Sequence, residues 1–448
     1  EILRCLVGSE MCIRDRNIVI LFLLIAGWGY AQKPAYLASK FTNGLRDFFV
    51  YYDSCFEARH HLPGLFPWLE KDRVEIKEIV RKSLAIKEEW IPVIKTRINR
   101  VTRNRDFIVQ HLQSVSWNNC YGAAHLYIPS NNDADKGLPV VLLACGHGNN
   151  GKLYPAYRKM AEYLASSGIA VLVPDNIGQG ERHFMGHYSA PGVFECGLTV
   201  QGLIVMETIG WLNWIRKQRN FNIEKIAACG NSGGGALGLF LASVVPEKFS
   251  VLISSGYPST FEYVARKEKR HCHCNIVPGI IGKVEMWQVL GCFAPKPMYL
   301  LQGKSDEFFP VDIFYRVCRQ VGDVYHESKV SVNFKADVFN GTHDWDDTRI
   351  LGIAQYLCRQ FDTFCKQWDE FMGSTRLIAS DCYDKWPINA LDINKLAEQI
   401  SGNKIKANKL RDVFPPFHIP IEKSEVNYRL PRGDCGEIFA QFNAFLGL

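Results

Sequence analysis

Short apolar runs and amphipathic stretches alternate along most of this chain. LPVVLLA at 138–144, IAVLVP at 169–174, KIAAC at 225–229, KPMYLLQG at 296–303 and SVNFKADVF at 331–339 each have the length and content of a strand. Between them, residues 154–167 and 197–218 repeat apolar positions at helical spacing. Residues 107–117 and 120–129 alternate apolar and polar positions, which predicts a β-hairpin ahead of the first buried strand. Strands alternating with helices of this length predict an α/β fold with a mostly parallel central sheet and helices on both faces. Upstream, Val74, Ile76, Ile79, Val80, Leu84 and Ile86 recur among charges and predict a helix over 73–90, within a helical N-terminal extension at 32–105. Beyond Phe371 the pattern changes. Residues 371–448 are expected to be an extension that adds nothing to the sheet and whose end is consistent with truncation.

The stretch GNSGG at 230–234 follows one predicted strand and precedes the small-residue run GALGLFLA at 235–242. A strand, a Gly-x-Ser-x-Gly turn and a helix place a serine on a tight, strained turn, and its neighbours must lack a Cβ so that helix and strand can approach. The helix N-terminus then sets backbone N–H groups beside the serine oxygen. Ser232 is therefore the candidate nucleophile.

An acid and a histidine are expected further along, in that order. KSDEFFP at 304–310 follows a late strand and supplies Asp306, with Glu307 as the fallback one residue away. NGTHDW at 340–345 follows the last predicted strand and supplies His343, the candidate general base. CGHGNNGK at 145–152 follows the strand at 138–144; its Gly-rich turn can aim the backbone N–H of His147 or Gly148, with that of Gly233, at a developing oxyanion. Asp175 precedes the nucleophile and reads as a structural turn acid. GQG at 178–180 lacks the spacing of a nucleotide loop.

With CGHGNNGK at 145–152, VLVPDNIGQGER at 171–182, GNSGGGALGLFLA at 230–242, HCHCNIVPGI at 271–280 and LLQGKSDEFFP at 300–310, the region at 106–370 resembles a bacterial α/β-hydrolase of the acetyl-xylan-esterase-like group. The resemblance implies the α/β-hydrolase fold and a serine carboxylesterase with no cofactor and no metal, acting on a small-molecule or polysaccharide ester. Cys145 stands where relatives often carry histidine before glycine, and Asn231 departs from the surroundings typical of glucuronoyl esterases. The alternatives are an oligopeptidase-like serine peptidase and a catalytically inactive hydrolase-fold binding protein. The first is disfavoured by the short segment ahead of the core, the second by the full Ser, Asp and His set.

HCHC at 271–274 raises a metal. On an extended segment its two cysteines share one face, yet zinc ligands are usually spaced wider, so a pocket wall is the expectation. His60-His61 reads as a solvated loop pair. At the front, LVGSEMCIRD at 6–15 resembles a translated sequencing adapter, which sets 1–16 apart and puts the native start near Arg16 or Asn17. IVILFLLIA at 18–26 and the small residues Gly29 and Ala31 then read as a signal peptide at 17–31, too short to span a bilayer, and imply a periplasmic or secreted protein with no membrane span after cleavage. The net charge of +6 over 448 residues, with no basic run interleaved with aromatics, excludes a nucleic-acid partner. Thirteen of the 15 cysteines follow Ala31; Cys145 and Cys229 fall in predicted core strands and read as buried small hydrophobes.

Overall fold

The computed structural model describes residues 64–130, 137–266, 272–374, 380–414 and 444–445. The signal-peptide segment, His60-His61 and His271 lie outside them. Nine strands form one sheet in the order β1-β2-β3-β5-β4-β6-β7-β8-β9: β1 (Lys95–Arg103), β2 (Phe107–Val115), β3 (Tyr121–Pro129), β4 (Leu138–Ala144), β5 (Ala170–Pro174), β6 (Phe221–Asn231), β7 (Val251–Ser255), β8 (Met298–Gly303) and β9 (Phe334–Phe339). The first three pair antiparallel, β3 meets β5 antiparallel, and the remaining strands run parallel.

The parallel strands read as unbroken apolar runs because both of their faces are covered. Along β4, Val140, Leu142 and Ala144 enter one core, while Val141, Leu143 and Cys145 enter the other. Each such buried Val or Leu contributes about 1.5–3 kcal/mol relative to exposure. Helices α1 (Glu70–Ser83), α3 (Val200–Arg216), α4 (Gly233–Val244) and α5 (Val311–Glu327) line the first face; α2 (Pro155–Ser166) and α6 (Asp347–Phe361) line the second.

Several boundaries differ from expectation: β6 begins at Phe221 rather than Lys225, and β9 at Phe334 rather than Ser331, where a 3-10 turn forms. Helix α1 stops at Ser83 rather than continuing to Trp90: Ala85 has φ 57°, and a short 3-10 turn follows at Glu88–Trp90. The chain from 95 to 103 is not part of a helical extension but an edge strand, β1. Its sequence KTRINRVTR is mostly exposed, so it carries no alternating apolar signal. The extension's helix docks on the core through Ile76, Val80 and Leu84, and the Leu84 carbonyl accepts a hydrogen bond from Thr199 Oγ1 at 2.8 Å.

The described part of the C-terminal extension wraps the hydrolase core without joining the sheet. Ile393, Leu396 and Ala397 of the helix Ile393–Ser401 are buried in the first core. Glu181 accepts from the N–H groups of Cys382 and Tyr383, and Glu195 from those of Lys406 and Ala407. Among the described residues, no helix is long and apolar enough to cross a membrane.

Candidate active site

Ser232 joins the end of β6 to the start of α4 with φ 57° and ψ −120°. That is a costly region for a residue with a side chain, and the surrounding contacts hold it there. A Cβ on Gly230 would sit 2.5 Å from Gly234 C, and one on Gly234 would sit 2.0 Å from the Ala144 carbonyl oxygen. The glycines at both ends of the motif are thus required by the contact of α4 with β6 and β4. Ser232 N–H donates to the Ser255 carbonyl at 2.9 Å, which fixes the turn against β7.

Asp306 lies just past β8, buried. Its Oδ1 accepts from the N–H groups of Phe308 at 2.8 Å and Phe309 at 3.0 Å, which leaves Oδ2 for His343 Nδ1 at 2.7 Å. Glu307 is exposed. The imidazole packs against Phe308 and Phe309, with ring centroids 4.8 and 5.9 Å away. The His343 carbonyl accepts from Asn231 Nδ2 at 3.0 Å, so the loop carrying the histidine is pinned to the residue before the serine. The structure brings Asp306 and His343 into contact and ties both to the turn that carries Ser232. With Oδ1 held by two N–H groups, Oδ2 is placed to accept from His343 Nδ1, and in the tautomer that makes that hydrogen bond Nε2 carries the lone pair.

The loop after β4 narrows the choice of oxyanion donors. Gly146 N–H donates to Tyr157 Oη at 2.8 Å and Gly148 N–H to Gln179 Oε1 at 2.8 Å. Gly148 is therefore committed elsewhere. The His147 N–H, which donates to no described residue, and the Gly233 N–H at the start of α4 are the two that remain. The His147 ring stands over Gly233: a Cβ there would meet its Cε1 and Nδ1 at 3.0 Å. Gln179 fell within a loop that the sequence marks only as Gly-rich.

Asp175 serves the scaffold. Its Oδ2 faces Lys152 Nζ at 2.7 Å with both side chains fully buried, and its oxygens also accept from Lys152 N–H at 2.7 Å and Glu181 N–H at 3.1 Å. Lys152 Nζ also reaches Glu181 Oε2 at 2.7 Å. Burial alone would lower the lysine, but Asp175, Cys382 and Glu181 beside it hold it above the ordinary lysine range. Gly151, at φ +45°, and Gly180, at φ +55°, press on the carboxylate so closely that a Cβ on either would fall within 2.3 Å of Asp175 Oδ1.

The described part of HCHC, residues 272–274, splits its side chains. His273 turns aside, its Nδ1 accepting from Ala190 N–H at 2.9 Å. Cys272 and Cys274 face inward with His147 and with His187, a residue no motif marks; the ligand atoms of all four lie within 4.8 Å of one another. None of the eleven described cysteines forms a disulfide, and Cys145 and Cys229 are buried.

No curated protein sequence matches the chain. Its fold is similar to that of Methylesterase BT1017, with TM-score 0.58 at 15% identity over 73% of each chain. It is also similar to a Bacteroides fragilis protein described as an acetyl xylan esterase, with TM-score 0.52 at 15% identity over 64% of this chain and 82% of that one. A glucuronoyl esterase from Solibacter usitatus follows at TM-score 0.50 and 12% identity, covering 66% and 93%. At these identities the likeness concerns the fold. The family model for the alpha/beta hydrolase fold matches residues 139–361, the span that holds the Ser232 turn, Asp306 and His343. Through this region the chain belongs to the α/β-hydrolase fold family.

Proposed function

We propose that this protein is an exported serine carboxylesterase that removes short acyl groups, chiefly acetyl, from a carbohydrate or another polar alcohol. The observation that carries the reading is the 2.7 Å contact of Asp306 with His343 beside a serine held at positive φ. Ser232 Oγ attacks the ester carbonyl carbon as His343 Nε2 takes its proton. The oxyanion is stabilised by the N–H groups of His147 and Gly233. His343 then returns the proton to the departing alcohol. Water repeats the sequence on the acyl-enzyme, releasing the acid and restoring Ser232.

Ester rather than peptide chemistry is supported by the names of the three fold neighbours, each an esterase. A short acyl group is supported by the exposed His147, whose ring stands over Gly233, by the exposed Asn149 and Asn150 in the same loop, and by the charged composition of ARKEKR at 265–270. Export rests on the apolar run ahead of Ala31.

The test is a panel of p-nitrophenyl acyl esters and acetylated polysaccharides with wild type and Ser232→Ala. Acetyl should exceed octanoyl by at least about tenfold in kcat/KM, or 1.4 kcal/mol of transition-state binding, and Ser232→Ala should lose about 10⁴-fold. Full turnover by Ser232→Ala defeats the mechanism. Equal rates on octanoyl defeat the acyl assignment alone. Specific glycan binding without turnover on any ester identifies a binding protein.

A further inference from the structure

We propose that His147, His187, Cys272 and Cys274 form a tetrahedral Cys2His2 site for one zinc ion, and that this ion clamps the loop after β4 to the loop carrying His187 and to the cysteine turn. The donors come from three separate segments: His147 from the loop after β4, His187 from the loop behind Gly186, and the two cysteines from the short turn His273–Asn275 and its cap. Sequence spacing could not show the set, because only Cys272 and Cys274 are near neighbours in the chain.

The geometry converges on a point. His147 Nε2 lies 3.1 Å from both His187 Nε2 and Cys274 Sγ, and Cys272 Sγ lies 2.9 Å from Cys274 Sγ. Zinc with its usual bond lengths sets neighbouring ligand atoms roughly 3.3–3.8 Å apart, so an ion at the centre needs the His147 contacts to open by a few tenths of an ångström and the two sulfurs by a little under about 1 Å. The supporting contacts already aim the donors. His187 Nδ1 faces the Ile177 carbonyl oxygen at 2.7 Å; as the donor there it leaves the Nε2 lone pair directed at the cluster, the arrangement a bound imidazole takes. Cys274 N–H donates to Cys272 Sγ at 3.2 Å, which holds the two sulfurs on one side of the turn, and Ala190 N–H fastens that turn to the segment that carries His187.

Charge agrees with the assignment. Cys272, Cys274 and His187 are buried, and two thiolates with one divalent cation and two neutral imidazoles leave no net charge there. Binding replaces the two S–H bonds with two Zn–S bonds and releases both protons to solvent, with no change in oxidation state. Four protein ligands fill the tetrahedron, so the ion holds structure and takes no water as a nucleophile. Because His147 is both a ligand and the bearer of a candidate oxyanion donor, the ion would fix that N–H in place; this consequence rests on the esterase reading, whereas metal binding does not.

A second group, His111, His125 and Cys382, offers three donors rather than four, and a partner outside the group lies at His111 Nε2 (Thr102 Oγ1), at His125 Nε2 (the Ser380 carbonyl) and at Cys382 Sγ (the Ala124 carbonyl). That group reads as a hydrogen-bonded plug between the sheet and the C-terminal segment.

The full chain, purified from zinc-supplemented medium without chelator, should carry about one zinc per chain by plasma mass spectrometry. Cys272→Ser and Cys274→Ser should each retain less than about a tenth of it. Replacement of zinc by cobalt in the wild type should produce thiolate-to-cobalt charge transfer and the intense visible bands of a tetrahedral site, a readout that stands even where a variant fails to fold. Wild type free of zinc after such growth and silent on cobalt addition overturns the proposal. So does a Cys272–Cys274 disulfide found by non-reducing peptide mapping of freshly purified protein. Loss of esterase activity with zinc retained would defeat the esterase reading and leave the metal site intact.

Discussion

Two aspartates follow strand ends in this sheet and meet opposite fates. Asp175, after β5, is closed in by Lys152: a permanent cation 2.7 Å away, backbone donors on both oxygens and two glycines against its faces leave nothing to exchange. Asp306, after β8, has only backbone N–H groups and an imidazole, and among the described residues His343 is its sole ion-pair partner. The side chain of that histidine keeps 17% of its surface open. One carboxylate is neutralised once, at folding. On the proposed esterase reading the other is compensated only when a proton reaches His343, which is what general-base catalysis needs. Burial and a strand end are common to both; the partner decides the role.

The contrast breaks most sharply through Asp306→Asn. Losing the acceptor lets the imidazole reverse its tautomer, so kcat should fall about 10³–10⁴-fold with little change in the thermal midpoint. Initial rates on p-nitrophenyl acetate and a circular-dichroism melt measure both, and Glu307→Gln should keep near wild-type rates. A crippled Glu307→Gln would place the acid one residue on.

Asp175→Asn should do the reverse. It strands Lys152 without its main counter-charge, so stability should drop by about 3–5 kcal/mol in urea titration. The fraction that remains folded should turn over at a rate much nearer wild type than Asp306→Asn does. An Asp175→Asn protein as stable as wild type would mean that Glu181 alone neutralises the lysine.

A third acid sharpens the point at smaller scale. Glu285 caps a short helix, accepts from Phe261 N–H at 3.1 Å and Met286 N–H at 3.3 Å, and is buried. Burial pushes its carboxyl up to about 7, only partly offset by those donors. Because the folded state holds the proton more tightly than the unfolded chain, this contribution is full at acid pH and lost as pH rises from about 4.3 towards 7. Glu285→Gln should therefore gain on wild type by about 2 kcal/mol between pH 5 and pH 8. Parallel denaturation curves at the two pH values would show that the carboxyl stays ionised throughout.

How much of this was legible follows from where each signal resides. The Ser232 turn, β4, β5, β8 and the Asp306 and His343 loops could be read because doubly covered strands are apolar throughout and strand ends carry distinctive turn residues. β1 was not legible, since a strand exposed on its open edge has no apolar period to detect. Nor was the diversion of the Gly148 N–H to Gln179, which depends on two loops meeting across the sheet. His187 escaped for the same reason. Its meaning arises only when the chain brings it to His147 and Cys274, and no local pattern records a meeting of three loops.

β1 has a further consequence, one of solution behaviour. It ends the sheet, and among the described residues no strand pairs with its outer row of backbone donors and acceptors, the surface on which another copy could add a strand. Lys95, Arg97, Arg100 and Arg103 line that strand, and a bulge between Ile98 and Arg100 interrupts its register. Two such edges repel one another over a range of about 10 Å at 0.1 M salt and progressively less as salt increases. The same basic row that hid β1 from a hydrophobic reading thus acts as a salt-dependent guard against self-association.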